Sequence, residues 1–71
     1  MKKFGQKLRT LRTRRGLTLR QLSDQLGVGY SYIGKMERGE REPNVAMLVK
    51  IADLFEVSLD RLIRDDLEVD G

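Results

Sequence analysis

Seventy-one residues with fourteen Lys and Arg, eleven Asp and Glu, and neither cysteine nor histidine allow one small domain and exclude disulfides, the usual zinc sites and most nucleophile–base pairs. No apolar run approaches the ~20 residues of a membrane span, and Met1-Lys2-Lys3-Phe4 leads into a charged periodic segment rather than a signal-peptide core. Residues 1–41 carry eleven bases against three acids (+8) and residues 42–71 three bases against eight acids (−5), so one pole is drawn to a polyanion and the other repelled. The bland alternative is an uneven scatter of surface charge. An intracellular protein without cofactor or membrane partner is expected.

The spacing predicts five short helices. Phe4, Leu8 and Leu11 make the apolar face of the first, which Gly16 ends. Lys2, Lys3 and Lys7 read as its solubilising end, with a basic arm on phosphates as the alternative. Thr18 caps the second helix, Leu19, Leu22 and Leu26 form its inner face, and Gly27 stops it.

After the turn Gly27-Val28-Gly29, the third helix turns Ile33 and Met36 inward and closes at Gly39. Its other side shows Tyr30, Ser31, Gly34, Lys35 and Arg38. Hydroxyls and cations with little carboxylate suit the base edges and phosphates of a major groove. Gly34 reads as the place where the helix backbone approaches a ligand. Tyr30 and Tyr32 also have a plainer reading as half-buried tyrosines with wet hydroxyls.

Pro43-Asn44 opens a fourth helix with Leu48, Ile51, Ala52 and Phe55 on one face, and Ser58 caps a fifth bearing Leu59, Leu62 and Ile63. Residues 65–71 are acidic and expected to fray, with Asp65 and Asp66 facing solvent. The chain therefore reads as one all-α domain over 1–71, with a helix-turn-helix at about 18–38 and no repeat, linker or evident small-molecule site. The carboxylates have no pocket to shift them, so an enzyme is not expected.

From Leu11 to Ile63 the chain resembles the phage repressor and Cro class of helix-turn-helix regulators, often called the XRE family. The resemblance lies in Leu8-Arg9-Thr10-Leu11-Arg12, Gly16-Leu17-Thr18, Leu22-Ser23, Leu26-Gly27-Val28, Ile33-Gly34-Lys35-Met36-Glu37-Arg38-Gly39, Pro43 and Val57-Ser58-Leu59-Asp60. It implies a compact five-helix lambda-repressor-like DNA-binding domain, bacterial or phage-encoded, cytoplasmic and nucleoid-associated. Double-stranded DNA and a second copy of the chain are the implied partners, the homodimer reading a pseudo-palindromic site.

By the same resemblance Tyr30, Ser31, Tyr32 and Lys35 read bases, Arg20, Arg38, Arg41 and Asn44 contact phosphates, and Arg12 pairs with Glu37 as a structural link. Leu59, Leu62, Ile63 and Leu67 are the dimer candidates, as spare apolar area on the acidic pole. Three positions depart from the family pattern: Leu19 replaces a glutamine phosphate clamp, Ser23 replaces a packing alanine, and Gly29 replaces a serine or threonine cap. Two rival functions remain open, the DNA-binding end of a longer regulator and a protein-interaction module on the same scaffold.

Overall fold

The computed structural model describes residues 1–69. Among these the chain forms α1 (Phe4–Arg14), α2 (Leu19–Leu26), α3 (Tyr30–Glu37), α4 (Val45–Phe55) and α5 (Leu59–Ile63), with no strand. Most of the expected apolar residues are buried: Phe4, Leu8 and Leu11 from α1, Leu22 and Leu26 from α2, and Ile33 and Met36 from α3 meet Ile51, Phe55 and Leu62 in one core, while Leu19 is only half-buried and Leu59 and Ile63 are exposed. Helix α3 is thereby held against both α1 and α2, while α5 rests on α4 and α1.

Local chemistry decides where the helices begin and end. Thr18 Oγ1 accepts the Gln21 N–H and Gln21 Oε1 accepts the Thr18 N–H, a reciprocal capping box. Asn44 and Ser58 cap α4 and α5 through the N–H groups of Met47 and Arg61, each such cap contributing about 1 kcal/mol. Helices α1 and α3 close on glycines with left-handed backbone, Gly16 (φ 68°) and Gly39 (φ 77°). Helix α4 makes the same kind of turn with Glu56 (φ 56°), where a side chain is strained.

Helix α1 has no side-chain cap of its own. The Asp65 carboxylate supplies one from the far end of the chain, accepting the Lys2 N–H at 3.0 Å and the Lys3 N–H at 2.9 Å. These bonds hold the Asp65 carboxyl below its ordinary range, the Lys3 bond most and the Lys2 bond next. The expected fraying is thus corrected for residues 65–69: Asp65 is bonded, Arg61 Nη1 donates to Glu68 O at 2.7 Å, and Val69 packs on the core. Asp66 stays exposed and pairs with Arg64. Residues 70 and 71 lie outside the described part.

Lys7 is also corrected. It is only 6% exposed, and its ammonium donates to Arg61 O at 2.6 Å and to Arg64 O. It caps the last carbonyls of α5, where the helix dipole favours a cation, and takes no part in a basic arm.

Candidate nucleic-acid interface

The turn between α2 and α3 is set by Gly27, left-handed at φ 73°, and by the Val28 N–H bonded to Ser23 O. Ser23 is buried where the two helices meet, and its hydroxyl donates to Arg20 O at 2.7 Å, so the departure from alanine leaves no orphaned polar atom. Gly29 starts α3 with extended backbone and no side-chain cap.

Helix α3 is fixed to α1 by two devices. Arg12 meets Glu37 through two parallel bonds, Nε to Oε2 at 2.6 Å and Nη2 to Oε1 at 3.1 Å, while Nη1 donates to Leu17 O at 2.8 Å. The side chains are 14% and 8% exposed, so water weakens this fork little. The second device is Gly5, which sequence reasoning missed. A Cβ there would lie 2.5 Å from Glu37 O and 2.6 Å from Met36 O, so only glycine lets α1 approach the end of α3. A glycine in the first turn of a helix, costing about 1 kcal/mol of propensity and capping nothing, was the available signal.

The outer face of α3 holds the expected base readers. Tyr30, Ser31 and Lys35 are exposed, while Tyr32 is half-buried with its ring packed on the core. Ser31, Tyr32, Lys35 and Arg41 line a shallow cleft of about 340 Å3. Each tyrosine carries an arginine: the Arg20 guanidinium lies 5.0 Å from the Tyr30 ring centre, and that of Arg41 lies 5.6 Å from the Tyr32 ring centre. Such stacking is worth about 0.5–1 kcal/mol at an exposed site and orients both partners. Arg20 thus sits beside the start of α3.

Gly34 is corrected. It is buried, because the Arg38 side chain lies across it and Leu19 closes the other side; an added Cβ would meet Arg38 Nη1 at 3.1 Å and Leu19 Cδ1 at 3.9 Å. The glycine seats a cation, and the helix backbone is not bare there. Arg38 Nε then donates to Glu40 Oε2 at 2.6 Å. Hydrogen bonding and charge from Arg38 hold the Glu40 carboxyl below its ordinary range, with Lys35 adding to the effect. Asn44 is exposed, and its carbonyl oxygen is engaged as the α4 cap.

Not all the charge of the basic pole is outward. Lys7 and Arg12 are internal, and Arg15 donates to Leu54 O at 2.8 Å with its guanidinium 5.1 Å from the Phe55 ring centre. On the opposite pole Leu62 is corrected: it is fully buried and leaves the dimer candidates. Leu59 and Ile63 are exposed and Leu67 is half-buried. Val45 and Val49, one turn apart on α4, add exposed apolar area that was not foreseen.

The Helix-turn-helix family model matches residues 8–62. The chain is 42% identical over 60 residues to the HTH-type transcriptional activator BcrR of Enterococcus faecalis, spanning 84% of this chain and 29% of that protein. Its fold is similar to that of the restriction-modification controller protein C.AhdI of Aeromonas hydrophila, with 37% identity, a TM-score of 0.78, and 87% and 94% of the two chains covered. It is also similar to the phage P22 c2 repressor in complex with a synthetic operator, with 28% identity, a TM-score of 0.82, and 89% and 96% covered.

Proposed function

The chain belongs to the helix-turn-helix family, and on that premise we propose that it is a sequence-specific regulator of transcription, acting as a repressor, that binds double-stranded DNA through α3. The observation that carries this reading is the outer face of α3, where Ser31 and Lys35 stand between two arginine-stacked tyrosines. The likeness to a repressor held on operator DNA supports it. In this reading α3 enters the major groove, Tyr30, Ser31, Tyr32 and Lys35 meet base edges, and Arg20, Arg38, Arg41 and Asn44 meet phosphates.

One such domain reads few base pairs, so we place two copies on half-sites about one helical turn, roughly 34 Å, apart. Leu59, Ile63 and Leu67 offer the apolar area for their contact. A second reading has its own support: because the chain spans under a third of BcrR, the same domain also fits the DNA-binding end of a longer regulator.

Selection from random duplex DNA at about physiological salt tests the proposal, since specific and non-specific binding separate there. The expected result is an enriched inverted repeat. On that site Lys35→Ala weakens specific binding more than non-specific, while Arg41→Ala weakens both alike and lowers the salt slope by about one per protomer. Salt-sensitive binding without enrichment leaves DNA binding standing and removes base reading. No binding at all points to a protein-interaction module.

A further inference from the structure

We propose that Glu40 is a built-in competitor for DNA phosphate, holding the Arg38 guanidinium in the unbound protein and so restraining the affinity of α3 for any duplex; the inference rests on the DNA-binding reading above.

The carboxylate is placed by the backbone. Helix α3 ends in a Schellman motif: the Gly39 N–H bonds Met36 O at 3.2 Å and the Glu40 N–H bonds Lys35 O at 2.9 Å. Residue 40 is thus folded back over the last turn of α3, where this motif usually puts an apolar side chain. Here it puts a carboxylate on Arg38, within the field of the Lys35 charge. Arg38 is held from the other side as well, with Nη1 in the notch above Gly34.

The pair is nonetheless open to exchange, since Arg38 and Glu40 side chains are 59% and 53% exposed. A phosphate oxygen offers the guanidinium the same charge-assisted bond. For a phosphate to take the Nε donor in a two-pronged fork, Glu40 must release it, and the freed carboxylate beside the duplex then takes up a cation from solution. One counterion release out of the total is thereby cancelled, so the salt dependence of binding is shallower than the basic face alone would give.

The test uses a duplex of random sequence and four forms of the 71-residue chain: wild type, Glu40→Gln, Arg38→Gln and the double variant. Circular dichroism melts check that all four are folded. Glu40→Gln is expected to bind more tightly and to steepen the slope of log K against log salt by about 0.9 per protomer, so that its advantage shrinks about 3.5-fold between 50 and 200 mM salt. In the Arg38→Gln background the gain is expected to fall to less than half. Equal gains in both backgrounds make Glu40 a general negative charge and overturn the proposal, as does no gain in either. If the wild type holds no duplex at any salt, the DNA-binding reading falls and takes this one with it. Wild-type binding without a Glu40→Gln gain removes this one alone.

Discussion

Two arginine–glutamate pairs meet at the end of α3, Arg12–Glu37 and Arg38–Glu40, and each has a 2.6 Å bond from Nε to a carboxylate oxygen. Distance does not separate them; surroundings do. Arg12 of α1 and Glu37 of α3 are largely shielded from water, with the remaining donors of Arg12 directed to Glu37 Oε1 and Leu17 O. Arg38 and Glu40 are each more than half exposed. A pair shielded from water cannot trade one partner away without leaving a bare charge, whereas an exposed pair can. The first therefore fixes the angle of α3, and the second is free to answer an approaching polyanion.

The largest effect that would break this contrast is at Glu37. Glu37→Gln leaves the Arg12 guanidinium in a half-dry site without its counter-charge, a loss of about 3 kcal/mol. In a domain of this size that lowers the Tm by about 12 °C or more, and calorimetry at neutral pH measures it. A Tm within a few degrees of wild type would show Glu37 to be as exchangeable as Glu40.

Gly5→Ala comes next and bears on the same joint from the α1 side. Alanine gains about 1 kcal/mol of helix propensity. Its Cβ, however, lies within 3 Å of two backbone carbonyls, which cannot swing aside as a side chain does, and overpacking of this kind costs about 3 kcal/mol. The net loss expected in chemical denaturation is about 2 kcal/mol, with the slope unchanged. A neutral result would mean that α1 slides along α3, so that the Arg12–Glu37 fork alone sets the angle.

Much of the fold was legible because it follows from local chemistry. Apolar spacing marks five helices, and Thr18, Asn44, Ser58, Gly16 and Gly39 mark their ends by rules that need only neighbouring residues. The Arg12–Glu37 contact spans 25 residues, and only family resemblance pointed to it. Two of the residues misread from sequence act over greater separations, and two depend on how nearer parts of the chain fold. Lys7 looks like any solvated lysine until the end of α5 arrives above it, 54 residues later. Asp65 looks like part of a loose acidic tail until it meets the start of α1. Gly34 looks bare until Arg38 and Leu19 cover it. At Glu56 nothing in the residue type signals a left-handed turn that most chains give to glycine or asparagine.

Asp65 is the intermediate case between the two glutamates, bonded to backbone N–H groups and partly open to solvent. Its folded-state carboxyl is held below the ordinary value of 3.8, first by the Lys3 bond and then by the Lys2 bond. A depressed carboxyl contributes stability that is whole above the unfolded value and is lost as the pH falls through that value and below it. Wild type is therefore expected to exceed Asp65→Ala in Tm from neutral pH down to about 4, and the gap narrows as the pH is lowered further. A gap that persists unchanged at pH 2 would assign the contribution of Asp65 to packing.

The smallest expected effect sharpens the contrast most, because it repeats the first substitution three residues away. Glu40→Gln removes the charge that meets Arg38 but leaves the cap of α3 untouched, since that cap is made by the N–H groups of Gly39 and Glu40 and the carbonyls of Met36 and Lys35. Two exposed side chains lose rotamer freedom when they pair, and salt screens what they gain, so such pairs contribute little to stability. The Tm is expected to stay within about 2 °C of wild type and to move no further between 50 and 500 mM salt. The same carboxylate-to-amide change would then cost the fold heavily at 37 and almost nothing at 40. If instead the two variants melted together, Glu40 would be part of the scaffold that aims α3, and its bond to Arg38 would be too firmly held to yield to a phosphate.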